Sequence, residues 1–173
     1  MASFIGTFTN KIDKKRRISV PARFRASLAA QSPGEAGVNS SANGNAGGAA
    51  GGVVVSPNAA LGAIEACDYQ RIEDTISRLD ERDGLTPEER QDVEFVLSRS
   101  EELSVDREGR IILPDALISL ADISDKATFV GIGRTFQIWS PERRDAWQAQ
   151  TAKTPEQQVG LKDLWSLGAR TPS

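Results

Sequence analysis

Two short apolar runs, Ile18-Ser19-Val20 and Ile111-Ile112-Leu113, each follow a charged cluster and each end on a proline, Pro21 and Pro114. Apolar residues bounded by charged turns in this way predict short strands. Proline is well tolerated in the first turn of a helix, so Ala22–Ala30 and Asp115–Leu120 are expected to be short helices. A strand pair is expected over Thr128–Ile132 and Thr135–Trp139, around a Gly133-Arg134 turn. From Asp68 to Asp83 the apolar residues Ile72, Ile76 and Leu79 fall on one helical face. Thr86-Pro87-Glu88-Glu89 is a capping box that opens a helix through about Ser98, for which Val93, Val96 and Leu97 are expected to supply the buried stripe. Ser140-Pro141-Glu142 opens a further helix. From about Thr151 the chain turns Gln-, Thr- and Gly-rich, the pattern of a loosely held tail.

These elements occur twice. Residues 12–21 align with residues 105–114, with Asp, Arg and Pro recurring at one offset, 106 - 13 = 93. Residues 63–67 align with 137–141 at a smaller offset, 138 - 64 = 74. The first copy must therefore hold extra residues, and the Gly/Ala/Ser/Asn-rich stretch at 31–52 supplies them. Such a composition cannot bury enough to offset its ordering entropy and is expected to form a flexible insertion. The expected organisation is a first module over 4–82, a connecting helix over 86–98, a second module over 99–150 and a flexible tail over 151–173. The fold class is α+β, built from two tandem β-rich modules related by an internal pseudo-two-fold.

Composition narrows the chemistry. The chain has no histidine and one cysteine, Cys67, which removes the usual general base and proton shuttle and any nucleophile–histidine pair. The expectation is a protein that is not an enzyme and needs no metal, cofactor or small-molecule substrate. Cys67 reads as a buried structural thiol. With no leader and no apolar run long enough to span a bilayer, a cytoplasmic location away from membranes is expected. The formal net charge of -3 is unevenly spread: residues 1–25 hold seven cations against Asp13 alone, leaving 14 basic and 23 acidic residues elsewhere. A basic end on an acidic body can bind phosphates locally.

The repeated Asp-x-x-x-Arg, Asp13 to Arg17 and Asp106 to Arg110, admits two readings. The Asp can brace a tight turn by accepting backbone N–H groups and pairing with the Arg. Alternatively, the loop tips display cations to a duplex, where arginine reads guanine O6 and N7. The two are compatible. Asp13, Asp106 and Gly109 are read as loop-structuring, while Lys14, Lys15, Arg16, Arg17, Arg107 and Arg110 are candidates for DNA contact. The second loop is the less basic, since Asp106 and Glu108 offset its two arginines.

The start Phe4-Ile5-Gly6, the run from Asp13 to Arg25 and the second run from Asp106 to Pro114 resemble the MraZ family over roughly residues 4–150. The resemblance implies a swapped-hairpin, double-split β-barrel fold like that of the AbrB and MazE groups. It also implies a nucleoid-associated regulator that represses its own division and cell-wall (dcw) operon. Such a protein would bind double-stranded DNA at short G-rich promoter repeats as a ring-shaped homo-oligomer. Lys15, Arg17, Arg107 and Arg110 match the family's basic loop positions. One departure stands out: the residue before the motif arginine is Gly109 in the second copy but Arg16 in the first. Glycine admits positive φ where arginine does not readily follow, so the first loop is expected to differ in backbone or to be strained. The competing functional class is an antitoxin-like module that binds a protein partner.

Overall fold

The computed structural model describes residues 2–30 and 51–169. The insertion expected over 31–52 lies outside the described residues except for Gly51 and Gly52. Among the described residues eight strands form: β1 (Phe4–Lys11), β2 (Arg17–Ser19), β3 (Val53–Asn58), β4 (Ala63–Asp68), β5 (Glu101–Leu103), β6 (Arg110–Ile112), β7 (Lys126–Gly133) and β8 (Phe136–Trp139). The helices are α1 (Ala22–Ala29), α2 (Tyr69–Asp80), α3 (Pro87–Leu97), α4 (Asp115–Ala121), α5 (Pro141–Gln150) and α6 (Leu161–Gly168). The fold is mixed α+β.

Six strands make one antiparallel sheet in the order β1-β7-β8-β4-β3-β5, and β2 pairs with β6 in a second, two-stranded sheet. Both sheets draw on both halves of the chain. β1 runs along β7 from the Phe4–Gly133 pair to the Lys11–Lys126 pair, while β5 from the second half adds to β3 of the first. The core is shared in the same way. Phe4 and Phe24 pack with Phe129 and Phe136, with ring centroids 4.8 Å apart for Phe4–Phe136 and 5.1 Å for Phe24–Phe136. Ile18 and Val20 join Ile111 and Leu113 in that core, all essentially inaccessible. Truncating any of the larger ones to alanine would cost about 2–5 kcal/mol, since a close-packed interior only partly refills the space.

On the opposite face of the sheet Trp139 and Val130 form a small second cluster with Trp147 of α5. Arg143 ties α5 to the body by donating from Nη1 to the Leu120 carbonyl at 2.7 Å. Helix ends follow the sequence signals: Asp68 caps α2 through the Arg71 N–H, and Thr86 with Glu89 closes the capping box of α3. Pro21 and Pro114 sit at the N-cap, one step before the first helical residue.

One expectation needs correction, and one helix was not foreseen. The stripe expected to be buried on α3 is not: Val96 is 49% and Leu97 36% exposed, and Val93 is only half-buried. Periodicity showed an apolar face, and nothing among the described residues covers most of it. The tail after Thr151 also contains a helix that the sequence reading missed. α6 carries Leu161, Leu164 and Trp165 at helical spacing, all well exposed. Cys67 is buried as expected, and burial, reinforced by the neighbouring Asp68, pushes its thiol up to about 11. Among the described residues no helix is long and apolar enough to cross a membrane. Nor do they contain a group of three or more His, Cys, Asp and Glu side chains placed to hold a metal.

Candidate nucleic-acid interface

The two Asp-x-x-x-Arg loops share one geometry. In the first, Asp13 Oδ1 accepts from the Lys15 and Arg17 backbone N–H groups, both at 2.9 Å, and Oδ2 accepts from Arg17 Nε at 2.7 Å. In the second, Asp106 Oδ1 accepts from the Glu108 and Arg110 N–H groups, both at 2.9 Å, and Oδ2 from Arg110 Nε at 3.0 Å. Each carboxylate thus braces its whole turn. The arginine N–H bond is the first cause holding each carboxyl below its ordinary value, because hydrogen bonds to the charged form favour it. Backbone bonds complete the turn: Asp13 N–H donates to the Arg17 carbonyl, and Asp106 N–H to the Arg110 carbonyl.

Arg16 has φ +64° and Gly109 φ +79°, so both loops pass through the left-handed region at the same step. The expected difference in backbone is absent; the expected strain is present, because a residue with a Cβ is held where the chain favours glycine. Space at the two sites differs. A Cβ on Gly109 would collide with the Arg25 guanidinium, whereas the Arg16 side chain extends to Asp115 Oδ2 at 3.0 Å.

The loops also hold each other. The Val20 N–H donates to the Gly109 carbonyl at 2.9 Å, and the Leu113 N–H donates to the Arg16 carbonyl at 3.0 Å. Each left-handed residue therefore turns its carbonyl toward the other copy, next to the β2–β6 pairing of Arg17 with Ile112 and of Ser19 with Arg110. Sequence inspection missed this clasp, because no local pattern shows which strands will meet. It also missed the Arg16–Asp115 pair, whose partners lie far apart in the chain.

Besides Arg16, which is paired with Asp115, the candidate basic residues fall into three situations. Lys14, Lys15 and Arg107 stand exposed at the loop tips, and none is in an ion pair among the described residues. Arg17 uses Nε to hold Asp13 and makes no other side-chain bond among the described residues. Arg110 is more fully engaged: Nε goes to Asp106 and Nη1 to Glu108 Oε2 at 3.0 Å. The bond that Arg110 donates to Asp106 leads the causes that raise its pKa.

Residues 96–160 match the family model described as "MraZ protein, putative antitoxin-like". The chain is 38% identical over 150 residues to the transcriptional regulator MraZ of Rhodospirillum rubrum, covering 84% of each chain. It is 38% identical over 165 residues to the MraZ regulator of Parvibaculum lavamentivorans, covering 95% of this chain and 90% of the relative. For the MraZ regulator of Gluconacetobacter diazotrophicus the figures are 35% over 162 residues, 93% and 92%. These relatives are named as regulators and not as enzymes. With the duplicated loop, its bracing Asp and its neighbouring strand all in place, the chain belongs to the MraZ family.

Proposed function

We propose that this protein is a transcriptional regulator that binds double-stranded DNA through the two clasped loops. The observation that carries the reading is the pairing of a rigid frame with free cations. Asp13 and Asp106 fix the loops, the reciprocal backbone bonds fix their relation, and Lys14, Lys15 and Arg107 project with no counter-ion among the described residues. Contacts of lysine and arginine to phosphates supply most of the affinity, and the unengaged nitrogens of Arg17 are placed to read guanine. Arg110, neutralised by two carboxylates, contributes less.

In this reading the exchange of β1 and β5 between halves makes two tandem swapped-hairpin modules of the AbrB and MazE kind. The targets are G-rich repeats in the promoter of the protein's own division and cell-wall operon, which it represses as a cytoplasmic, nucleoid-associated protein. One molecule offers few contacts, so several copies in a ring engage adjacent repeats and gain by effective concentration. The apolar faces of α3 and α6, which the described residues leave mostly uncovered, support self-assembly. They would equally suit a protein partner, the reading that the antitoxin-like family description favours.

Fluorescence anisotropy separates the two. The probes are a duplex from immediately upstream of the protein's own coding sequence and a scrambled duplex, each titrated at several salt concentrations. Through five or six phosphates the log–log salt slope is expected near -4 to -5, with tighter binding to the upstream duplex. A Lys14→Ala/Lys15→Ala variant, altered only at exposed tips, should lose most of that binding. Equal, weak binding to both duplexes that ignores the variant would overturn the proposal in favour of a protein partner.

A further inference from the structure

β1 and β7 place Lys11 directly across from Lys126. Side chains of a directly opposed antiparallel pair lie on one face within about 5 Å at Cβ, so like charges there repel. Both lysines are exposed, and neither has an ion-pair partner among the described residues. The pair stands at the end of the sheet from which the first loop springs. The Ile12 N–H, between Lys11 and Asp13, donates to the Asp125 carbonyl at 2.9 Å. That bond holds both strands beside the loop.

The place that corresponds beside the second loop is different. One step beyond the Val53–Leu103 pair stand Gly52 and Ser104, neither of them charged. Glu102 lies over Gly52, with Oε1 3.0 Å from where a Cβ would be, and Glu101 is next to it. At these matched positions the first loop is flanked by two cations and the second by none.

We infer that Lys11 and Lys126 form a phosphate clamp beside the first loop, through which the protein grips the DNA backbone on that side only. The inference rests on the reading of the loops as DNA-binding and adds to it a sequence-independent contact outside the Asp-x-x-x-Arg motif. An unneutralised pair of like charges is a local cost to the free protein, and a polyanion that bridges the pair removes it. Departures from local consistency of this kind collect at functional sites. Phosphate contacts fix register and carry no base information, so the pair should raise affinity without changing specificity.

The test is a Lys11→Gln/Lys126→Gln variant, titrated against the upstream and scrambled duplexes over a range of salt. A Lys153→Gln/Lys162→Gln variant removes the same charge from the far tail as a control. The clamp variant is expected to bind both duplexes more weakly by the same factor, with the salt slope reduced by about 2, one per lost phosphate contact. Its thermal midpoint should hold or rise, since a repulsion is gone, so weaker binding cannot be put down to unfolding. The control should keep the parent slope. If the parent protein binds the upstream duplex and the clamp variant matches it in affinity and slope, the clamp is wrong while the loop reading stands. If the parent protein binds neither duplex, the loop reading fails and the clamp fails with it.

Discussion

The two loops of this protein have one backbone and two side-chain strategies. Both close on an aspartate that accepts three bonds, and both pass through positive φ at the fourth residue. The first loop accepts strain at Arg16 and keeps a nearly continuous run of cations. The second uses glycine, carries no such strain, and lets Glu108 neutralise Arg110. Backbone geometry is therefore set by the carboxylate and the clasp, and not by the residue at the left-handed step. That leaves each loop free to set its charge, and only the first has set it strongly positive.

Exchanging the left-handed residues should break the comparison most sharply. Gly109→Ala meets both an unfavourable φ and the Arg25 side chain packed over the site. Left-handed strain sets the loss at about 1–2 kcal/mol, since the end of the flexible Arg25 side chain can move aside. It would be read as a lower urea midpoint with unchanged slope. The reverse change, Arg16→Gly, relieves strain and gives up only a solvent-exposed ion pair with Asp115. A gain of about 1 kcal/mol at most is expected in the same measurement. A loss on Arg16→Gly would mean that the arginine side chain, not the braced backbone, holds the first loop.

The smallest difference is expected on acidification. Both aspartates are held below their ordinary value of 3.8 by the same kinds of bonds. A carboxyl depressed in the folded state contributes stability that is complete above the unfolded value and is lost as pH falls through the folded one. Stability should therefore drop as pH falls below about 4, and Asp13→Asn or Asp106→Asn should each flatten that limb to the same extent. Chemical denaturation between neutral pH and pH 2 would show it, and unequal flattening would mean that the loops are not equivalently braced.

Much of this was legible in the sequence, for reasons that can be named. The capping box at Thr86, the proline-led starts of α1 and α4 and the duplicated Asp-x-x-x-Arg are local signals, each with its cause within a few residues. What stayed hidden was set by meetings between distant segments. Val93, Val96 and Leu97 have helical spacing, but spacing names a face and not what covers it. Arg16 was expected either to alter its loop or to strain it, and which of the two was not legible: Asp13 and the Leu113 N–H hold it, strained, to the path that Gly109 takes. The Lys11–Lys126 pair is invisible until β1 is known to lie along β7. α6 was missed because its apolar stripe is short and follows a polar run.

The exchange of strands also has a consequence for synthesis. β1 leaves the ribosome well before its partner β7, which is more than a hundred residues behind it. Until then β1 is an unpaired edge, open to wrong partners. The clasp closes later than either loop's own turn, since it needs both Arg16 and Leu113 in place. Pairings so distant in sequence make folding slow. They also tie the ends of the fold together: a chain cut short before β7 keeps both loops but leaves β1 without the strand it pairs along.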